Sequence, residues 1–269
     1  MPTDLIQLDI AGIRTALELG DGAMASRIRS RYAEFITETG HPQAAIRVVT
    51  QAGLQVLPVR GENWIIETEL AGSRLTYRSH YDAGWADLES GAGLLEIASH
   101  AEVENFLRVL YAHLCLRAGG LMLHSAGVVR NGAGYLFFGP SGRGKSTTAL
   151  LSMDLGYTVL SDDLVIVRKG TSVFRVYGLP FRGTFPETPH TRLDVPVAGV
   201  YSLVQDTELW VRSLTQAEGV ARLAASVPFT MDQPAARVQV LAVCGDLTAS
   251  CGVGELHFRR DAGFWRVIA

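Results

Sequence analysis

Eight consecutive residues, Gly139-Pro140-Ser141-Gly142-Arg143-Gly144-Lys145-Ser146, constrain this chain more than any other stretch. They fill every fixed position of the pattern G-x-x-x-x-G-K-[ST]. The apolar run Tyr135 to Phe138 enters them, and a helix-forming stretch from Lys145 to Asp154 leaves. Glycines let backbone N–H groups curl around phosphate oxygens with no Cβ in the way. A helix that starts at Lys145 adds free N–H donors and partial positive charge. Lys145 is then placed to bridge the β- and γ-phosphates, and the Ser146 hydroxyl to ligate Mg²⁺. Gly139 to Thr147 are therefore predicted to bind a nucleoside triphosphate. The loop alone names no reaction. The sequence has neither the LSGGQ-like signature of ABC ATPases nor the NKxD-like base reader of GTPases. Those absences shift the weight to phosphoryl transfer.

The surroundings of the loop predict a mixed α/β fold. Leu121 to Val129 and Gly134 to Phe138, joined by Asn131-Gly132, read as a β-hairpin. Tyr157 to Leu160 then completes a strand–loop–helix–strand βαβ pattern. Val165 to Val167, Val173 to Tyr177, Ala198 to Val204 and Glu255 to Phe258 read as further strands. Gln216 to Ala225 and Ala235 to Leu247 read as helices, with a short helix at the end. Thr184 to Pro196 holds three prolines and is predicted to be irregular. Upstream, apolar spacing predicts helices over Asp21 to Thr37 and Glu102 to Ala118. Between them lie strand-like runs at Ala45 to Thr50, Trp64 to Leu70 and Leu75 to Ser79. Gly119-Gly120 ends the second helix and is where a β-rich and helical region, 1–119, would part from a catalytic region, 120–269, unless the two pack into the same domain.

Composition narrows the partners. With 24 basic and 27 acidic residues, the net charge is −3. A nucleic-acid binder normally shows a basic excess, so none is expected. Cys115, Cys244 and Cys251 form no C-x-x-C pair, which argues against a zinc site and a disulfide framework. Met1 to Ile10 has no apolar signal-peptide core, and no run approaches the ~20 apolar residues of a membrane span. The expectation is a cytoplasmic protein with no membrane contact. Oligomerisation is compatible with the sequence but not specified by it.

Three further features could carry chemistry. Ser161-Asp162-Asp163 follows an apolar strand, where ligands bind in α/β sheets. One carboxylate there can hold Mg²⁺ and the other accept a proton from an attacking hydroxyl. His124 lies in an apolar strand leading towards the loop and could orient Asp162. Gly178-Leu179-Pro180-Phe181-Arg182-Gly183 brackets an arginine that could meet phosphate. Each has a plain alternative: a solvated turn, a satisfied strand histidine, a surface arginine. The other histidines, at 41, 80, 100, 113, 190 and 257, show no metal-ligand spacing and read as structural.

Taken in order, His124, Gly139 to Ser146, Asp162-Asp163 and Gly178 to Gly183 resemble the catalytic domain of HPr kinase/phosphorylase. The likeness is greatest to the HPr-kinase-like proteins found beside peptide-modification genes, with a similar tail at Gly254 to Phe258 and Phe264-Trp265. It covers Leu121 to Ala269 well and extends loosely back to Ile46. It implies a mixed-sheet nucleotide-binding core like that of phosphoenolpyruvate carboxykinase, and an ATP- and Mg²⁺-dependent kinase acting on serine of a protein or peptide. By the resemblance, Asp162 is the base and His124 supports it. Ser146 and Asp163 hold Mg²⁺, Lys145 and the loop bind ATP, and Arg182 lies near the transferred group. Pro180 stands where the family usually has an acidic residue, which implies a forward kinase with little phosphorylase activity. The first 120 residues do not resemble the N-terminal domain of HPr kinases, so the expected substrate is not HPr. A kinase for a small hydroxylated metabolite and a nucleotide-binding regulatory module are the alternatives.

Overall fold

A computed structural model describes residues 4–59, 65–181, 183, 185 and 191–268. The chain is a mixed α/β protein that divides into two compact units, Met1–Leu114 and Cys115–Ala269.

The first unit is built on a seven-stranded sheet. Its strands are β1 (Asp4–Ile10), β2 (Ile13–Leu19), β3 (Ala44–Gln51), β4 (Glu67–Ala71), β5 (Arg74–Arg78), β6 (Asp82–Asp87) and β7 (Ala92–Ala98). They lie in the order β1-β2-β3-β7-β6-β5-β4, with β2, β3 and β7 parallel and the other pairs antiparallel. Helix α1 (Gly22–Arg31) is capped by Asp21, which accepts from the N–H groups of Ala23 and Met24. The helix expected to reach Thr37 therefore ends early. Its apolar spacing carries on because a 3-10 turn, Ala33–Phe35, buries Phe35 in the same way. Helix α2 (Glu104–Arg117) falls where the sequence places it, and the division between the units lies within it. Trp64 lies outside the described residues.

The second unit carries the glycine-rich loop. Strands β8 (Gly120–Arg130) and β9 (Ala133–Phe138) form the expected hairpin, paired from Ser125↔Phe138 to Arg130↔Ala133. Asn131 (φ +53°) and Gly132 (φ +75°) make the tight turn that matches strand twist. Helix α3 (Lys145–Asp154) and β10 (Thr158–Ser161) follow. Strand β10 pairs with β8 rather than with β9, so the β9–α3–β10 crossover spans the strand between. Next come β11 (Leu164–Lys169), β12 (Phe174–Tyr177), β13 (Asp194–Gln205) and β14 (Trp210–Ser213). Helices α4 (Gln216–Ala224) and α5 (Pro234–Cys251), β15 (Gly254–Phe258) and a 3-10 helix, Ala262–Arg266, complete the unit. Strands β8, β11, β12, β13 and β9 pair in a closed circuit, a five-stranded barrel. The stretch expected to be irregular ends sooner than Pro196, because Asp194 to Pro196 already pair with β12. Residues 184 and 186–190 lie outside the described residues.

Strand alternation divides the core. Leu136 and Phe138 face a cluster with Leu123, Val165, Val240 and Leu247, whereas Tyr135 and Phe137 face Phe258, Phe264 and Trp265. Trp265 is buried, donates from Nε1 to Ser152 Oγ at 3.1 Å, and meets Tyr135, Phe137 and Tyr157 edge-on. It thereby fixes α3 against β9 and β10. Truncating such a side chain typically costs about 3–5 kcal/mol. No helix among the described residues is long and apolar enough to cross a membrane.

In the first unit, Asp82 is buried and accepts from Tyr77 Oη at 2.9 Å. Burial raises its pKa from 3.8 to about 6, partly offset by hydrogen bonds from Tyr77 and Ser79. Between those values the folded state holds a proton that the unfolded state has released. Stability from this group therefore rises as pH falls through about 6 and levels off below 3.8. Asp82→Asn should shrink the difference between urea midpoints measured at acid and neutral pH. An unchanged difference would exclude this coupling.

Candidate active site

The loop between β9 and α3 leads into a helix start that no side chain caps among the described residues. Gly144 starts α3 with φ +103°, and a Cβ there would sit 2.5 Å from the Phe258 ring. Glycine is thus required both by the backbone and by packing. Among the described residues no side chain caps α3, and its first turn holds no acid. Its leading N–H groups and the positive end of its dipole are left for a negative ligand. Lys145 is buried, and its Nζ donates to Gly139 O at 3.0 Å and more weakly to Pro140 O at 3.4 Å. Burial lowers the pKa of this amine, and the negative charge of Asp163 pulls it back up. At the end of β13, Gln205 Nε2 donates to Gly142 O at 2.8 Å and steadies the outer turn of the loop.

The acidic pair faces this amine from the β10–β11 turn. Ser161 Oγ accepts from Asp163 N and Leu164 N, both at 3.1 Å, which folds the turn tightly on itself. Ser125 N on β8 donates to Asp163 O at 2.9 Å, and Leu164 pairs with His124. This register brings His124 Nε2 to 3.0 Å from Asp163 Oδ1. The sequence expectation gave the histidine to Asp162. The tight turn sends the two carboxylates to different surroundings instead: Asp162 is fully buried, and Asp163 meets the histidine with a quarter of its side chain exposed. Gly183 packs on Asp162 so closely that a Cβ at 183 would collide with the carboxylate.

His124, Lys145, Ser146, Asp162, Asp163 and Gln205 line one cleft of about 230 Å³, together with Ser141, Gly142, Gly144 and Thr147 of the loop. Gly139, Pro140 and Arg143 wall a separate cavity of about 350 Å³. Arg182 lies outside the described residues. Gln205 is not singled out from the sequence, and Ser161 enters there only as the residue before the acidic pair. Gln205 is one polar residue at the end of an apolar strand, and no spacing marks it. Ser161 carries a readable signal, a hydroxyl two residues before the N–H it accepts from. Among the described residues, no three His, Cys, Asp or Glu side chains gather closely enough to hold a metal by themselves. A divalent ion here would need oxygens from a ligand, as Mg²⁺ commonly takes from phosphates.

Against known proteins, residues 98–266 match the model of one family, described as SynChlorMet cassette protein ScmC. The match spans more than half of the chain. No curated protein matches it.

The contact between Gly144 and Phe258 predicts an energetic coupling. Gly144→Ala should destabilise the chain by about 2–4 kcal/mol through overpacking and a left-handed alanine. In the Phe258→Leu background the packing share should fall, giving a coupling of about 1 kcal/mol or more in a double-mutant cycle read by urea unfolding. Additive effects would show that the ring does not constrain the loop.

Proposed function

We propose that this chain, which belongs to the ScmC family, is an ATP- and Mg²⁺-dependent kinase that phosphorylates serine on a protein or peptide. The observation that carries the reading is the opposition, across one cleft, of an uncapped helix start with its buried lysine and a His–Asp–Asp group. The hairpin before the loop and the five-stranded barrel support a core of the HPr kinase and phosphoenolpyruvate carboxykinase kind, rather than an all-parallel sheet.

The residues divide the work as follows. The N–H groups at the start of α3 and the Lys145 ammonium bind the β- and γ-phosphates; Lys145 exchanges the carbonyls of Gly139 and Pro140 for phosphate oxygens. Ser146 and Asp163 are the groups that fit Mg²⁺, one hydroxyl and one carboxylate bordering the cleft. That ion supplies charge neutralisation at the phosphoryl oxygens. His124 fixes the direction of the Asp163 carboxylate. Asp162 accepts the proton of the serine hydroxyl. Because Gly183 covers that carboxylate, the acceptor reaches Asp162 only when this contact opens. Arg182, next to Gly183 in the chain, steadies the transferred group in this reading.

The direction of reaction follows from Pro180, which is buried and brings no carboxylate to the site. Transfer to serine dominates, and attack of inorganic phosphate on phosphoserine is slow. Pyrophosphate release from the phosphorylated acceptor at a rate comparable to the forward reaction would overturn this.

Lys145→Ala should weaken binding of ATP with Mg²⁺, measured by calorimetry, and remove turnover. Asp162→Asn keeps the shape and should retain ATP binding while transfer of labelled phosphate to peptides falls by ~10²–10⁴. Wild-type transfer in Asp162→Asn would rule out the proposed base. Unchanged binding and turnover in Lys145→Ala would rule out the nucleotide site.

A further inference from the structure

A second cavity walled by the loop is distinct from the cleft that holds the acidic pair. Its walls include Gly139, Pro140 and Arg143 of the loop, Leu203 of β13, and Arg222 and Ala225 at the end of α4. Its volume of about 350 Å³ is in the range of small-ligand sites. It opens where β9, β13 and β15 run parallel, with Ser202 beside both Phe138 and Glu255. Such carboxyl-end crevices are the usual ligand sites of α/β sheets.

Two contacts tie this cavity to the reacting centre. The Lys145 ammonium rests on the carbonyls of Gly139 and Pro140, so the cation that would grip the γ-phosphate shares a wall with the cavity. Ser226, another lining residue, accepts through its carbonyl from His124 N at 2.8 Å. The cavity therefore borders the strand that carries His124.

Its chemistry is asymmetric. Phe138, Leu203, Val204 and Ala225 give it an apolar floor. Arg222 is neutralised by its ion pair with Glu255 and also donates to Ser202 Oγ at 3.1 Å. Burial pushes the Glu255 pKa up, but hydrogen bonds from His257 and Arg212 and the charges of Arg222 and Arg212 outweigh it and hold the group ionised. The Arg143 guanidinium, at the exposed rim, makes no hydrogen bond or ion pair among the described residues. An occupant must bring an apolar group for the floor and a negative charge for the rim.

We infer that this cavity is the acceptor subsite, taking an apolar side chain of a peptide segment next to the reacting serine, with a neighbouring carboxylate on Arg143. The inference rests on the proposed transfer to serine and specifies which acceptors that site takes. Excluding the matching apolar group from such a pocket typically weakens recognition by about 10–200-fold.

The test follows methyl signals of the full chain by NMR, with ADP and Mg²⁺ present, during titration with octapeptides. One peptide has a central serine flanked by leucine and aspartate. In two others the leucine is replaced by serine, or the aspartate by lysine. Saturable shifts of the Ala225 and Leu203 methyls with the first peptide, and binding weakened at least about ten-fold for the other two, are the expected result. Ala225→Leu should fill the cavity and remove peptide binding while ADP affinity stays unchanged. No shift at these methyls, or equal binding of the lysine peptide, overturns the subsite. Phosphate incorporation without these shifts removes the subsite and leaves transfer standing. Shifts without incorporation into any peptide do the reverse.

Discussion

Strand β8 is the member on which the second unit hangs. Its first half pairs with β11, from Gly120↔Arg168 to His124↔Leu164. Its second half pairs with β9 on one side and β10 on the other. The handover between partners falls at His124 and Ser125. Backbone groups that change partner in a buried strand cannot slip by one residue without inverting every side chain beyond. The register thus fixes three things together: the entry of β9 into the loop, the height of the β10–β11 turn, and the histidine between them. Gly127 makes this crossing feasible, because a Cβ there would sit 2.8 Å from Val165 and 3.4 Å from Leu160.

Charge is arranged around that crossing in two tiers. In the cleft, one buried ammonium faces two carboxylates and a histidine, and the helix end adds a further positive pole. Behind it, Glu255 collects Arg212, Arg222 and His257, while His257 also meets Asp206 at 2.8 Å. The hydrogen bond from His257 leads the effects that hold Asp206 well down, at about 2. This second tier joins β15, β14, β13 and α4. Glu255 is the buried charge of the group and is met by three partners at once, so losing any one of them leaves it paired. The tier's position next to Gln205, which holds the loop at Gly142, makes it a rigid backing for the cleft.

The loop, α3 and the hairpin were legible in the sequence because each rests on local rules. A glycine pattern needs left-handed backbone, Asn131-Gly132 needs a tight turn, and α3 spans Lys145–Asp154 as its composition suggests. What could not be read depends on partners far away in sequence. Strand β6, Asp-Ala-Gly-Trp-Ala-Asp, has little strand propensity and is held by β5 on one side and β7 on the other. Strands β1 and β2 are joined by only Ala11 and Gly12, and their pairing is a tertiary fact more than a pattern. The prolines before β13 suggested a loop, yet the Arg175–Asp194 ion pair and the β12 pairing begin the strand at Asp194. Spacing placed the acidic pair in the site but could not say which carboxylate meets His124, since adjacent side chains take different directions and only the register chooses.

The Trp265–Ser152 contact joins residues 113 positions apart. A ribosome adding residues at about 5–20 per second finishes the glycine-rich loop and α3 many seconds before the indole that braces them exists. Until then α3, ten residues long, has only its own turns and its neighbouring strands to hold it, and isolated helices of that length are marginal. The emerging chain therefore has the motif but not the firm cradle.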